Sequence, residues 1–188
     1  MAAPSSPHHA LEASPWVRRW SHLVPRGARV LDVACGSGRH VRWFAERGCA
    51  VTGVDRDAAA LELLQRIAHI RVADLEQGAW PFADARFDAV ICTNYLWRPL
   101  LPSLIAAVGL NGVLIYETFA AGNETVGKPS NPDFLLRPGE LLEAVGELRV
   151  VAFEDGFVDA PDRFVQRIAA VREGGGDGPP RRWPLAER

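Results

Sequence analysis

The sequence has few of the features that mark secreted, membrane-spanning or nucleic-acid-binding chains. It has three cysteines, an odd number, and all lie in or beside apolar segments, so we expect reduced thiols in a cytoplasmic protein. No apolar run is long enough to cross a bilayer. The net charge of −2 argues against a nucleic-acid-binding surface. The first residues lack the basic and apolar regions of a secretory signal.

The 188 residues suit a single domain with a sizeable core. Residues 1–13 are rich in alanine, proline, serine and histidine, which predicts a flexible N-terminal tail. The glycine and proline run after residue 173 predicts a flexible tail over 174–188. We therefore expect one domain over 14–173.

The most informative stretch runs from Ala28 to Asp55. It predicts a strand over 28–33, a glycine-rich turn, a helix over 39–47 and a second strand over 49–54. Gly36 and Gly38 allow the backbone to turn sharply and to approach a ligand closely. This order of elements is typical of a nucleotide-binding βαβ unit.

Strands and helices alternate along most of the chain, which predicts an α/β fold with a parallel sheet and helices on both faces. The last two predicted strands are joined by a short acidic loop, so they should form an antiparallel hairpin. Ligands of such sheets bind beyond the carboxyl ends of the strands. The remaining predicted elements are helices from Ser14 and over 58–67, 99–108 and 139–145, a turn at Asn111-Gly112, and strands over 69–73, 87–93, 113–119, 148–156 and 164–172.

Two residues of the glycine-rich turn argue against a dinucleotide. The motif G-x-G-x-x-G would need a third small residue at position 41, which is valine. Asp32 would place a carboxylate where the pyrophosphate should lie. The same carboxylate could instead hold an ammonium group.

The segment Asp32–Gly38 resembles motif I of class I S-adenosylmethionine-dependent methyltransferases, [D/E]-x-[G/A]-x-G-x-G. The chain is most similar to small bacterial members of the tellurite-resistance or thiopurine-methyltransferase-like kind. The resemblance covers about residues 28–172. It implies a Rossmann-like seven-stranded sheet in the order 3-2-1-4-5-7-6, with strand 7 antiparallel, and S-adenosylmethionine (SAM) as cofactor.

The resemblance also assigns roles to residues after the strands. Asp55 matches the acidic residue that binds both ribose hydroxyls, and Asp74 and Leu75 match the adenine-recognition position. Asn94 matches motif IV, which borders the transferable methyl group. The full set expected to bind SAM is Asp32, Ala34, Cys35, Gly36, Gly38, Asp55, Arg56, Asp74, Leu75 and Asn94.

The methyl acceptor is expected to be a small molecule. The segment Asn94–Trp97 lacks the prolines of the N/D-P-P-Y/F motif that methyltransferases of nucleic-acid amines carry. Glu117 has no clear acidic partner, so no metal is predicted. No nucleic-acid or membrane partner is expected, and no catalytic residue is assigned.

The acceptor pocket should be built from the N-terminal helix, the segment after the fourth strand, and the loop 120–137. That loop is long for a structureless connection, which suggests an ordered lid. The helix from Ser14 either packs its apolar face on the domain or covers the ligand with Trp16 or Arg19. His40 is either a general base or a residue of the helix face without a catalytic part. The candidate pocket residues are Trp16, Trp97, Phe119, Tyr95, Glu117, Asn123, Glu124 and Lys128.

Three functions are therefore compatible with the sequence. The first is a SAM-dependent methyltransferase acting on a small molecule. The second is a SAM-binding sensor or partner module without transferase activity. The third is a nicotinamide-dependent oxidoreductase.

Overall fold

The computed structural model describes residues 12–175 and 181–186. Seven strands of this part form one sheet in the order β3-β2-β1-β4-β5-β7-β6. The first five are parallel, and β7 is antiparallel to both β5 and β6. The order predicted from the resemblance is confirmed. The strands are β1 (Arg29–Val33), β2 (Ala50–Asp55), β3 (His69–Val72), β4 (Phe87–Thr93), β5 (Val108–Phe119), β6 (Arg149–Asp159) and β7 (Asp162–Val171).

Helices cover both faces of the sheet, also as predicted. Successive strand residues point to opposite faces, so the core forms two clusters. One cluster contains Val17, Phe44 and Leu61 of the first three helices, and the other contains Leu104 and Leu141 of the last two. The helices are α1 (Pro15–Trp20), α2 (Arg39–Glu46), α3 (Ala58–Glu62), α4 (Leu101–Ala107) and α5 (Glu140–Val145).

Helix α1 begins where the sequence predicts. The Ser14 hydroxyl accepts a hydrogen bond from the Trp16 backbone N–H at 3.1 Å, so Ser14 is its N-cap. Trp16 and Trp20 are each 1% exposed, and the Trp16 indole donates to the Ile168 carbonyl at 3.2 Å. The helix is therefore fixed to β7 by an aromatic core residue.

Helix α3 is shorter than the predicted 58–67. Asp57 caps it as expected, accepting from the Ala60 backbone N–H at 3.1 Å. Beyond Glu62 the chain continues in tighter turns, with Ile67 N–H bonding to the Leu64 carbonyl three residues earlier. These turns keep Leu64 fully buried.

Strands β5 to β7 are longer than predicted. Asn111, expected in a turn, lies inside β5 with a φ of +60°, where the pairing with β4 shifts register. Asparagine tolerates this left-handed conformation, so the strand bulges there and continues. The residues predicted to form the acidic loop instead continue β6 and β7, so Ala160 and Pro161 connect the two strands. Cross-strand pairing outweighs the local polarity of that loop.

The loop 120–137 is ordered and closely held. It contains two short 3-10 turns, Asn123–Thr125 and Pro132–Phe134. The Arg98 side chain donates to the carbonyls of Asp133 and Leu135, each at 2.7 Å, and to the Glu140 carboxylate. Arg98 therefore joins this loop to the start of α5.

Glu140→Gln is expected to remove an acid-sensitive contribution to stability. Burial raises the pKa of the Glu140 carboxyl, but hydrogen bonds from Arg98 and the Arg137 backbone lower it to about 2 from 4.5. A depressed pKa in the folded state stabilises the fold above pH 4.5, and this contribution is lost as the pH falls towards 2. We expect the variant to be less stable by about 2 kcal/mol at pH 7 and equal to wild type near pH 2.

Urea denaturation across this pH range measures the difference. Glu143→Gln is the matched control, since Glu143 is exposed on the same helix. If the free energy of unfolding changed with pH in the same way for wild type and for Glu140→Gln, the bonds between Arg98 and Glu140 would contribute nothing to stability.

The described residues at the C-terminal end contact the domain. Trp183 packs beside the α1–α3 cluster, and its indole donates to Glu173 at 2.8 Å. His22 lies 3.0 Å from the Pro184 carbonyl oxygen. Residues 1–11, including His8 and His9, and residues 176–180 and 187–188 lie outside the described part, so the flexibility of both tails stays a prediction. None of the helices in the described ranges could cross a membrane.

Candidate functional site

A first cavity, of about 280 Å³, lies at the carboxyl ends of β1, β2 and β3. The sequence places its ligand-binding residues at this edge, and the structure brings half of them together there. Ala34, Asp55, Arg56, Asp74 and Leu75 line the cavity with Ala73, Glu76 and Tyr95. The others predicted to bind SAM lie in the glycine loop or beside the cavity.

Residues 34–38 form a strained loop between β1 and α2. Ala34, Gly36 and Gly38 have φ values of +52°, +50° and +77°. A Cβ at position 38 would lie 2.3 Å from the Leu64 side chain, so only glycine fits. A non-glycine residue held at positive φ, such as Ala34, costs energy and is typical of ligand-binding loops.

Cys35 offers its backbone to this loop, while its thiol faces β2. A Cβ built on Gly53 would lie 3.0 Å from the Cys35 Sγ atom and 3.3 Å from a Val41 methyl group. In a dinucleotide motif, the third glycine lies on the helix and allows the helix to pack closely on the strand. Here Gly53 on β2 leaves that space instead, so the larger Val41 side chain fits on the helix. Burial raises the pKa of the Cys35 thiol, so it stays protonated.

Asp55 connects the end of β2 to the glycine loop. One carboxylate oxygen accepts from the Gly36 backbone N–H at 2.8 Å, and the other accepts from the Asp57 N–H at 3.0 Å. Each carboxylate oxygen can accept a further hydrogen bond. Two hydroxyl groups of a ligand could therefore be bound by one preoriented side chain.

Asp74 and Leu75 form the opposite wall. One Asp74 oxygen accepts from the Glu76 N–H at 2.9 Å, which fixes the turn after β3. Leu75 is 8% exposed and packs into the core. This wall offers an apolar surface with a carboxylate beside it, the combination that recognises an aromatic ring bearing an amino group.

Asp32 is 1% exposed at the end of β1. Its Oδ2 atom has no hydrogen-bond partner among the described residues. Its Oδ1 atom lies 3.7 Å from Nδ1 of His40. A buried carboxylate oxygen without a donor is costly, so this atom marks a place where a ligand donor would be favoured.

The His40 side chain is buried, with 2% of its surface exposed. Its Nε2 atom accepts from the Ser14 backbone N–H at 3.2 Å, so the neutral ring carries its proton on Nδ1, facing Asp32. Its side chain thus joins α1 to the end of β1. His40 therefore lies on the buried face of α2, in agreement with the helix-face interpretation, and its lack of a catalytic part stays a prediction.

Glu117 is also buried, on the α1 side of the sheet. One oxygen accepts from the Ser14 hydroxyl at 3.0 Å, and Arg163 and Arg167 lie at 3.6 and 3.4 Å. All three contacts belong to the internal network under α1. Glu117 was expected at the acceptor pocket, but it lines neither the first cavity nor the second one described next.

A second cavity, of about 230 Å³, adjoins the first. Glu76 and Tyr95 line both cavities. The Tyr95 hydroxyl is buried and has no hydrogen-bond partner in the described part, and burial raises its pKa, so it stays protonated. The remaining lining residues of the second cavity are Asn94, Leu96, Thr118, Phe119, Pro129 and Phe134.

The other predicted acceptor residues lie elsewhere. Trp16 is a core residue, which confirms the packing interpretation of α1. Asn123 is buried and holds the loop by donating to the Pro129 carbonyl at 2.9 Å. Glu124 accepts from the Gly122 N–H, and Lys128 donates to Ser130. Trp97 is half-buried against the core and lines neither cavity.

Sequence reasoning missed Thr118 and Phe134, which line the second cavity. Thr118 faces the second cavity because it alternates with Glu117 along β5. Phe134 lies in the loop 120–137 that was expected to cover the acceptor. Among the described residues, no cluster of three metal-ligating side chains is found.

Comparisons with known proteins agree with this geometry. A family model described as a methyltransferase domain matches residues 30–109. A TehB-like SAM-dependent methyltransferase from Corynebacterium glutamicum has a TM-score of 0.61 at 22% identity, covering 85% of this chain and 87% of that one. Residues 30–109 thus match a methyltransferase domain, and the fold is that of class I SAM-dependent methyltransferases. SAM is the cofactor of this class.

Curated relatives share parts of the methyltransferase domain. A malonyl-[acyl-carrier protein] O-methyltransferase from Pseudescherichia vulneris is 36% identical over 107 residues, covering 52% of this chain and 41% of the relative. A tRNA U34 carboxymethyltransferase from Alcanivorax borkumensis is 30% identical over 162 residues, covering 75% of this chain and 50% of the relative. The chain thus spans half or less of these two relatives.

Proposed function

We propose that this protein transfers the methyl group of SAM to a small molecule bound in the second cavity. The observation that carries the proposal is the junction of the two cavities at Glu76 and Tyr95. The first cavity has carboxylates and an apolar wall that suit a nucleoside. The second cavity lies beside it at the end of β4, where Asn94 matches motif IV. A cofactor in the first cavity would face an acceptor in the second.

An observation that does not depend on the family resemblance supports the fit of these residues to SAM. Asp32 has a buried oxygen without a donor, and the ammonium of SAM would supply one. Asp55 would accept from both ribose hydroxyls, and Asp74 from the exocyclic amine of adenine. When bound, SAM supplies a methyl group on a positively charged sulfur.

The chain itself contributes position and exclusion of water. Phe119, Pro129 and Phe134 give the second cavity apolar walls, and the ordered loop 120–137 holds two of them. Fixing two reactants in line can lower a barrier by about 7–11 kcal/mol. Tyr95, with its raised pKa, can donate a hydrogen bond to the acceptor but is a poor base at neutral pH.

The lining of the second cavity favours a small, uncharged or cationic acceptor over a nucleic acid. Among residues 12–175 and 181–186, Glu76 is the one charged residue that lines it, and no lysine or arginine does. A polynucleotide would need basic side chains around the opening to bind its phosphates. A cavity of about 230 Å³ instead suits one small molecule.

The proposal predicts a specific pattern of ligand binding and label transfer. SAM, but not NAD, should raise the melting temperature of the full chain. With methyl-labelled SAM, label should pass to the small-molecule fraction of a metabolite extract and not to its RNA or protein fractions. Stabilisation by NAD alone would support an oxidoreductase. SAM binding without transfer to any fraction would support the sensor module, and label in RNA would overturn the acceptor class.

Phe134→Ala tests the location of the acceptor. Phe134 is 44% exposed at the edge of the second cavity and does not line the first. We expect the variant to lower label transfer at limiting acceptor by at least about fivefold, the cost of losing part of an aromatic wall. The affinity for SAM should change by less than about twofold. Leu110→Ala is the control, because Leu110 is 64% exposed at the opposite end of β5.

A further inference from the structure

Apolar side chains are exposed to solvent between the second cavity and the β6–β7 hairpin. Phe134 lines that cavity and is itself exposed. Val126, in the same loop 120–137, is also exposed, and Phe157 of β6 is 49% exposed. The Phe157 ring lies 5.1 Å from the ring of Phe164 on β7, measured between centroids. We call Phe134, Val126, Phe164 and Phe157 the apolar strip.

One buried asparagine connects the parts of the apolar strip. The Asn123 side chain accepts from the Phe164 backbone N–H at 3.2 Å and donates to the Pro129 carbonyl at 2.9 Å. Pro129 lines the second cavity beside Phe134. The Val126 N–H bonds to the Asn123 carbonyl at 3.1 Å. The strip therefore runs without a break from the second cavity to the hairpin.

The loop 120–137 is built to pack on this strip. A Cβ at Gly122, which has a φ of +103°, would lie 3.0 Å from the Phe164 ring, so glycine lets the loop backbone contact the ring directly. The two charged side chains nearby are engaged within the loop. Glu124 accepts from the Gly122 N–H at 2.8 Å, and Lys128 donates to the Ser130 hydroxyl at 2.9 Å. The apolar side chains are thus held in fixed positions.

The size of the strip decides what can cover it. Half the surface of a phenylalanine side chain is about 100 Å². The apolar area that the strip exposes is therefore well below the roughly 800 Å² that each partner of a stable protein complex buries. The second cavity, of about 230 Å³, holds only a small group, and the exposed Phe134 marks its opening. A hydrocarbon chain leaving the cavity fits both observations.

We propose that the methyl acceptor is an amphiphile, with a polar head group in the second cavity and a hydrocarbon tail on the apolar strip. The inference rests on the proposed function for methylation of the head group and not for binding of the tail. Hydrophobic contact is non-directional and grows with the area buried. The strip therefore selects acceptors by tail length, up to the end of the strip at Phe157.

Phenol, para-butylphenol and para-heptylphenol are suitable probes, because they share one small head group and differ in tail length. Equilibrium dialysis with the full chain measures their affinities. We expect the affinity of wild type to rise about twofold for each added methylene, which is less than for complete burial because one side of the tail stays in water. Saturating SAM should not weaken para-heptylphenol, since it would occupy the first cavity.

Matched variants test the location of the tail. Phe157→Ser should weaken para-heptylphenol binding by at least about fivefold and phenol binding by less than about twofold. Val126→Ser should act in the same direction with a smaller effect. Leu63→Ser is the control and should change neither affinity, because Leu63 is exposed beside α3 on the other face of the sheet. Thermal melting checks that each variant is folded.

Several outcomes would overturn the inference. Equal affinity of wild type for the three phenols does so without any variant. Loss of para-heptylphenol when SAM is added would place the tail in the first cavity. Equal weakening of phenol and para-heptylphenol in Phe157→Ser would assign Phe157 a structural role. Binding to phosphatidylcholine vesicles that Phe157→Ser abolishes, without any effect of tail length, would assign the strip to a membrane surface.

Label transfer separates this inference from the proposed function. With methyl-labelled SAM and a cell extract, label should pass to the fraction that dissolves in organic solvent. Label confined to water-soluble compounds would overturn the amphiphilic acceptor while supporting methyl transfer. An effect of tail length without label in any fraction would overturn methyl transfer and support binding of the tail.

Discussion

Replacing Asp55 by alanine is expected to weaken SAM binding by at least about a hundredfold, because two charge-assisted hydrogen bonds to the ribose would be lost. The variant would also lose the acceptor for the Gly36 N–H, which bonds to Asp55 at 2.8 Å in the described structure. The glycine loop would then be less ordered before the cofactor arrives. Calorimetric titration with SAM measures the change.

Asp84→Ala is the control for this prediction, since Asp84 is an exposed aspartate on the loop before β4. Asp55→Asn provides an intermediate case. Asparagine keeps one acceptor oxygen, so this variant should lose only part of the affinity for SAM. A Asp55→Ala protein that binds SAM as tightly as wild type would show that the ribose does not lie at the end of β2.

Trp16→Ala is expected to cost about 3–5 kcal/mol of the free energy of unfolding. The side chain is 1% exposed, its indole donates to the Ile168 carbonyl at 3.2 Å, and the Arg167 guanidinium lies 5.0 Å from its ring. Alanine would leave a cavity between α1 and β7 and an unpaired carbonyl. Urea denaturation at pH 7 measures the loss, and the melting temperature should fall by about 10 °C.

Trp97→Ala provides the comparison, because Trp97 is only partly buried. It should cost about 1 kcal/mol, since less apolar area leaves water. A Trp16→Ala protein as stable as the Trp97→Ala protein would mean that α1 is loosely attached, and would restore the interpretation of α1 as a lid.

The sequence predicted the parts of the fold that depend on local patterns. The glycine loop, the Ser14 and Asp57 caps and the buried strands follow from neighbouring residues, and the sheet order follows from the family that those motifs resemble. The lengths of β5, β6 and β7 did not follow, because their ends are set by pairing between strands. Asn111 shows this most clearly, as its turn-like pair with Gly112 lies within a bulge.

The proposed cofactor-binding residues were easier to predict than the proposed acceptor-binding residues, for the same reason. Asp55 and Asp74 each follow a strand directly, so their place at the carboxyl edge is fixed by the chain itself. Glu117 and Thr118 are neighbours on β5 that face opposite sides of the sheet, and the pattern does not say which side holds the acceptor. His40 and Arg39 have partners distant in sequence, namely Ser14 and Thr93.

The attachment of α1 has a consequence for the order in which the chain folds. Trp16 bonds to Ile168, 152 residues later, and Ser14 bonds to Glu117, 103 residues later. Contacts of such large sequence separation form late, because a long loop must close before they gain energy. Helix α1 therefore docks only after the β6–β7 hairpin has formed, and the residues around Asp32 and His40 stay accessible to water until then.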